Sequence, residues 1–170
     1  MKTQKTIGII GIVVGVALCG AATSHAVLRN DVSGTWSGKG TCHGFDPTLP
    51  KNGKFTLSTT MTLLIQGGND ILIMSASDPF AGKYNGHVLR SANVPTMPQA
   101  AILSCDTAVS TASGHLFDAQ FTLKSDAKGV DKSKMKATSI YSVLPGAVAT
   151  CKWTFKRTST DPVDVGSCTP

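Results

Sequence analysis

His43, His87 and His115, with Asp46, Asp106 and Asp118, are the side chains that could assemble a metal site or an acid–base pair. Their spacing forms no ligand motif, and surface or structural roles are expected for them. The chain contains no Glu, which excludes a His-Glu-x-x-His zinc site and any glutamate-based acid–base pair. Cys-x-x-Cys, a Gly-x-Ser-x-Gly elbow, a phosphate loop and a dinucleotide fingerprint are also absent. Catalysis, a cofactor and a bound metal are therefore not expected.

The remaining chemistry is that of cysteine oxidation. Lys2 and Lys5, a 13-residue apolar run from Ile7 to Cys19, and Ser24-His25-Ala26 read as a secretory signal peptide cleaved after Ala26. The run is shorter than the roughly 20 residues a membrane-spanning helix needs. A lipoprotein anchor at Cys19 is the competing reading, and it is disfavoured by the large Leu18 just before the cysteine. A secreted or periplasmic protein is expected, with residues 27–170 forming a single domain. Cys42, Cys105, Cys151 and Cys168 then remain, an even number suited to two disulfides. Four cysteines allow three connectivities.

One arithmetic relation bears on the pairing. Trp36 with Arg157 and Cys42 with Cys151 both sum to 193, so the two end segments can pair antiparallel in a single register. That register sets Gly38 opposite Phe155 and Gly40 opposite Trp153, each glycine facing an aromatic that can cover it. It favours Cys42–Cys151, closing a loop of about 110 residues worth on the order of 4 to 5 kcal/mol in the chain-entropy model. Cys105–Cys168 is left as the second bridge.

The elements that must position these residues read as strands. Every acidic residue is Asp, while Thr, Ser and Gly abound, a composition poor in helix formers and rich in strand and turn formers. Phe55, Leu57, Thr59, Met61, Leu63 and Ile65 alternate with polar neighbours through Thr62. Phe117, Ala119, Phe121 and Leu123 do the same, as do Met135, Ala137, Ser139, Tyr141 and Val143. The last strand carries Cys151, Trp153, Phe155 and Arg157 on one side and Lys152, Thr154 and Lys156 on the other. Shorter strands are expected over Ile71–Ser75, Lys83–Arg90 and Ala100–Cys105, and a first strand over Thr35–Cys42. Gly67-Gly68-Asn69-Asp70, Asp78-Pro79 and the Pro95–Pro98 segment supply turn signals between them. Eight such strands predict an all-β, eight-stranded antiparallel up-and-down meander, closed into a barrel by its first and last strands.

The run Asn30-Asp31-Val32-Ser33-Gly34-Thr35-Trp36 resembles the signature that opens the first strand of lipocalins and related calycin barrels, an apolar residue followed by Gly-x-Trp. In that superfamily a basic residue near the end of the last strand packs across the tryptophan, and Arg157 stands at that place. A guanidinium over an indole contributes roughly 0.5 to 2 kcal/mol. Ser37 replaces the aromatic that commonly follows the tryptophan, and the central Thr-Asp-Tyr-type loop has no counterpart, so the resemblance is one of architecture. Avidins also begin with Gly-Thr-Trp but hold biotin between several further tryptophans. With only Trp36 and Trp153, biotin binding is not expected.

The function expected from these residues is non-catalytic binding of a small hydrophobic or amphipathic molecule at the open end. Phe55, Leu57, Met61, Phe117, Phe121 and Tyr141 would form its wall. Trp36, Trp153 and Phe155, beside the closing seam, are expected to plug the floor. A filled barrel that binds a protein through its loops, as exported protease or lysozyme inhibitors do, is the alternative, and a structural envelope protein without a discrete ligand is the third.

Charge bears on the alternative. Without the leader, 14 Lys+Arg stand against 10 Asp, a formal +4. Lys124, Lys128, Lys132, Lys134 and Lys136 fall within 13 positions. The segment reads as a solvated loop, or as a contact for a protein partner or anionic surface centred on Lys128, Lys132 and Lys134. No aromatics interleave these lysines, so nucleic acid is not an expected partner.

Overall fold

The computed structural model describes residues 31–168, except 51, 68–69, 79, 92, 106–112 and 144–145. The signal-peptide reading, its Ala26 cleavage site and the Cys19 alternative lie outside the described residues. Eight strands follow in order: β1 (Gly34–Phe45), β2 (Lys54–Gly67), β3 (Ile71–Ala76), β4 (Gly82–Ser91), β5 (Val94–Ser104), β6 (Ser113–Thr122), β7 (Lys134–Val143) and β8 (Ala147–Ser159). Each pairs antiparallel with the next, and β1 pairs with β8, so the meander closes into a barrel. The alternation of the sequence becomes the alternation of the wall: odd positions of β2, β6, β7 and β8 and even positions of β1, β3 and β4 face inward.

The closing seam has the register that sums to 193: Trp36 opposite Arg157, Gly38 opposite Phe155, Gly40 opposite Trp153 and Cys42 opposite Cys151. A Cβ on Gly40 would run into the Trp153 ring, and one on Gly38 into Phe155, so bare backbone is what lets both aromatics lie flat on β1. Cys42 and Cys151 are disulfide-bonded across the seam with Cα atoms 3.9 Å apart, and Cys105–Cys168 forms the second bridge at 5.5 Å. The second bridge anchors the segment after β8. On its way, the Val165 N–H donates to Gln66 Oε1 on β2 (2.8 Å) and Val165 becomes buried.

One expected turn is strand. Pro95–Pro98 lies within β5, where the β4–β5 register shifts between Leu89 and Ser91 and regular pairing with β6 starts only at Gln99. Proline lacks an N–H to give to a ladder, and it is accommodated where the ladder lapses.

The lower end, where β1 begins and β8 finishes, is sealed around Arg157. Its guanidinium lies 5.2 Å from the Trp36 ring centroid. Nε donates to Asp131 Oδ2 (2.8 Å), with which Nη2 forms an ion pair at 2.7 Å, while Nη2 donates to Ser133 Oγ (3.1 Å) and Nη1 to the carbonyls of Asp31 and Ser33 (2.6 and 3.2 Å). All three nitrogens of the guanidinium thus have partners. Trp36 donates its indole N–H to the Val32 carbonyl (3.0 Å) and meets Phe121 edge to face at 5.5 Å.

Asp131 carries the seal's anionic charge. Partial burial works against its ionised form, but the Ser133 hydrogen bonds and Arg157 outweigh this and hold its carboxyl below the ordinary value of 3.8. The folded chain then binds this proton more weakly than the unfolded chain, so the contribution is full above the ordinary range and fades as pH falls through the lowered folded value. Asp131→Ala, which strands the guanidinium, is expected to cost on the order of 3 kcal/mol in urea unfolding at neutral pH. The deficit relative to the parent protein should shrink below about pH 4.

Candidate functional site

Above the seal the interior is filled in layers. Met61, Leu63, Ile65, Met74, Ile102, Phe117, Phe121, Met135 and Phe155 are each at most 2% exposed. Trp153 stacks on Phe155 (5.8 Å) and donates its indole N–H to Ser139 Oγ (2.9 Å). Phe117 meets Tyr84 edge to face at 5.4 Å.

The uppermost layer comes from a loop. Phe80, between β3 and β4, reaches across the barrel to Tyr141 on β7 (5.2 Å) and Trp153 on β8 (5.8 Å). Its backbone is tied down by the Tyr84 hydroxyl, which donates to the Phe80 carbonyl (2.8 Å). Burial first, and then the neighbouring Tyr141, push the Tyr84 phenol up to about 12, so it remains a neutral donor far above physiological pH.

Above Phe80 the packing stops. β1 and β2 run past it into a hairpin whose return passes through Asn52 and Gly53 at φ 63° and 71°. On β2, Phe55 is half-buried over Gly44, and Leu57, beside Cys42, is 42% exposed although it points inward. Thr59 and Tyr141 are partly buried on the same inward face. At this upper end, the mouth of the barrel, Phe55 and Leu57 thus hold inward positions that the core does not seal, with Thr59 and Tyr141 partly buried and the Cys42–Cys151 disulfide level with Leu57.

The six expected wall residues therefore divide. Phe55 and Leu57 stand at the mouth, Tyr141 is partly buried against the edge of the core, and Met61, Phe117 and Phe121 belong to the packed core. Phe80 was not among the expected residues. Its loop position, next to Asp78-Pro79 and outside any alternating run, offered no periodic signal, and only the chain reversal between β3 and β4 aims it inward.

Elsewhere the expected residues are scattered. His43 lies on the outer wall, Nδ1 3.1 Å from Thr56 Oγ1, and His87 and Asp118 are exposed on the outer faces of β4 and β6. The Asp46 carboxyl is held low by hydrogen bonds from Thr48. The His115 side chain and Asp106 lie outside the described residues. Among the described residues, no three His, Cys, Asp or Glu side chains gather as metal ligands, and no helix is long and apolar enough to cross a membrane.

The lysine-rich segment folds at the lower end, opposite the mouth. Asp126 accepts from the Lys128 and Val130 N–H groups (both 2.9 Å) and lies 3.7 Å from Lys132 Nζ. Lys134 and Lys136 leave the loop and stand on the outer face of β7.

Compared with known proteins, the chain matches no protein-family model and no curated protein.

Because the Tyr84 pKa is raised on folding, the unfolded chain loses this proton first, and stability should fall as pH climbs from about 10 to about 12. Tyr84→Phe is expected to flatten that alkaline decline. At neutral pH it should cost about 1 kcal/mol for the lost hydrogen bond, both readable from denaturant midpoints across pH.

Proposed function

We propose that this protein is an exported, calycin-like binding barrel that acts without covalent chemistry, taking one small amphipathic molecule into its upper mouth. The observation that carries the reading is the break in burial along one inward face of β2: Met61, Leu63 and Ile65 are sealed in the core, while Leu57 remains 42% exposed. An inward apolar side chain left open to water above a solid floor suits a ligand that completes the packing. Tyr141 and Thr59 give such a ligand a polar handle. The floor at Phe80 limits it to a shallowly seated head or ring.

The Trp36–Arg157 contact and the barrel closure support the calycin likeness, and two disulfides are compatible with an oxidising compartment. The filled interior also favours a second reading, in which the upper loops grip a protein and Leu57 is a contact residue.

Non-denaturing mass spectrometry of the protein from its native compartment is expected to show a small-molecule adduct that is lost on denaturation. The apolar probe anilinonaphthalene sulfonate should bind the mature protein, and Leu57→Asp should weaken it about tenfold, as expected for losing one buried leucine. An adduct-free protein that ignores the probe would move the assignment to the protein-binding reading.

A further inference from the structure

The outer wall carries two features that mouth binding does not use. The first is a set of lysines brought together by register. Lys39 on β1, Lys134 and Lys136 on β7, and Lys152 and Lys156 on β8 are all exposed and outward. One cross-strand row reads Thr60, Lys39, Thr154, Lys136, Gln120, and the row above it reads Ser58, Thr41, Lys152, Thr138, Asp118. No outward position on β7, β8, β1 or β2 is acidic, and Asp118 on β6 is the acid at the margin. Lys134 stands directly opposite Lys156, a like-charge pairing that destabilises a sheet unless an anion relieves it.

The second feature lies immediately above. Leu103, Leu116 and Ile140 are consecutive cross-strand partners on β5, β6 and β7, exposed by 56%, 37% and 47%. Val148 on β8 and Phe45 on β1 face each other and extend the exposed apolar band toward the rim. Ile140 is two residues from Thr138 in the Lys152 row, about 7 Å along the strand, and flexible lysine stems can reach across such a step.

We infer that this wall is a docking surface for an anionic lipid bilayer, with the apolar band at the headgroup–acyl boundary and the lysine rows among the headgroups. An apolar stripe bordered by cations is the arrangement that binds such interfaces. Protein interfaces favour the fixed fork of Arg and are depleted in Lys. Here the outward cations are all Lys, spaced by Thr and Ser, and Arg157 is turned inside. A soluble polyanion would leave the apolar band unused. The inference does not rest on the mouth's ligand.

The test is co-sedimentation of the mature protein with vesicles of phosphatidylcholine alone or mixed with phosphatidylglycerol. Binding is expected only to the mixed vesicles and should be lost in about 1 M salt, where screening is complete within a few ångströms. The variant K39A/K136A/K152A should bind on the order of 100-fold more weakly, at about fivefold per lysine near an anionic surface. L116S/I140S should also weaken binding, whereas K124A/K128A/K132A, altered only in the lower loop, should bind normally. No binding to mixed vesicles, equal binding to both vesicle types, or loss through the loop variant alone overturns the inference. So does displacement by soluble alginate with L116S/I140S unaffected, which would assign the lysines to a polysaccharide. The vesicle contrast and salt response of the unaltered protein decide even if a variant misfolds.

Discussion

A guanidinium inside an apolar barrel is tolerable only when its nitrogens have partners, and Arg157 meets that condition by drawing β1 with its approach and the β6–β7 connection onto β8. The approach to β1 supplies the carbonyls of Asp31 and Ser33, the β6–β7 connection supplies Asp131 and Ser133, and β1 supplies the Trp36 face. None of these can move without exposing a buried charge. The chain's entry, the longest lower loop and the closing seam are thereby locked at one end, which leaves the opposite end free to stay open.

Closure itself depends on size complementarity. A barrel of eight strands has room for side chains and little else, and here Trp153 and Phe155 lie against Gly40 and Gly38. The aromatics fill the centre because β1 yields space at those two positions. The disulfide at Cys42–Cys151 sits one step higher on the same seam, so seal, stacked aromatics and covalent link occupy a single line from floor to mouth. Phe80 then finishes the packing from the far wall, and what projects above it is rim.

The inside and outside of the wall carry different information. Inward residues are determined by packing and leave little freedom except at the mouth. Outward residues are free of that constraint, yet on β7, β8 and β1 they are almost uniformly Lys, Thr and Ser, with an apolar band beginning one row above. Solubility alone would favour mixed charge signs on such a surface.

The strand pattern was legible in the residues alone, since period-two alternation states which side of each strand is apolar. The sequence favoured the closing register too, because glycines and aromatics fall at matching offsets, and with it Cys42–Cys151 among the three connectivities that four cysteines allow. Leu57 and Phe55 were legible as inward residues. That Leu57 is open while Met61 is sealed was not, because alternation reports direction and says nothing of height along the barrel. The lysine face was half legible: β8 showed its outward cations, and the 193 register already placed Lys39 opposite Thr154. Joining these to Lys136 and to the Leu103–Leu116–Ile140 band required the registers of β5 through β8 together. The place of Phe80, and the gathering of Asp131, Ser133 and Arg157, emerge only on folding, because loops carry no period and the partners of a buried charge are chosen by where closure brings the chain.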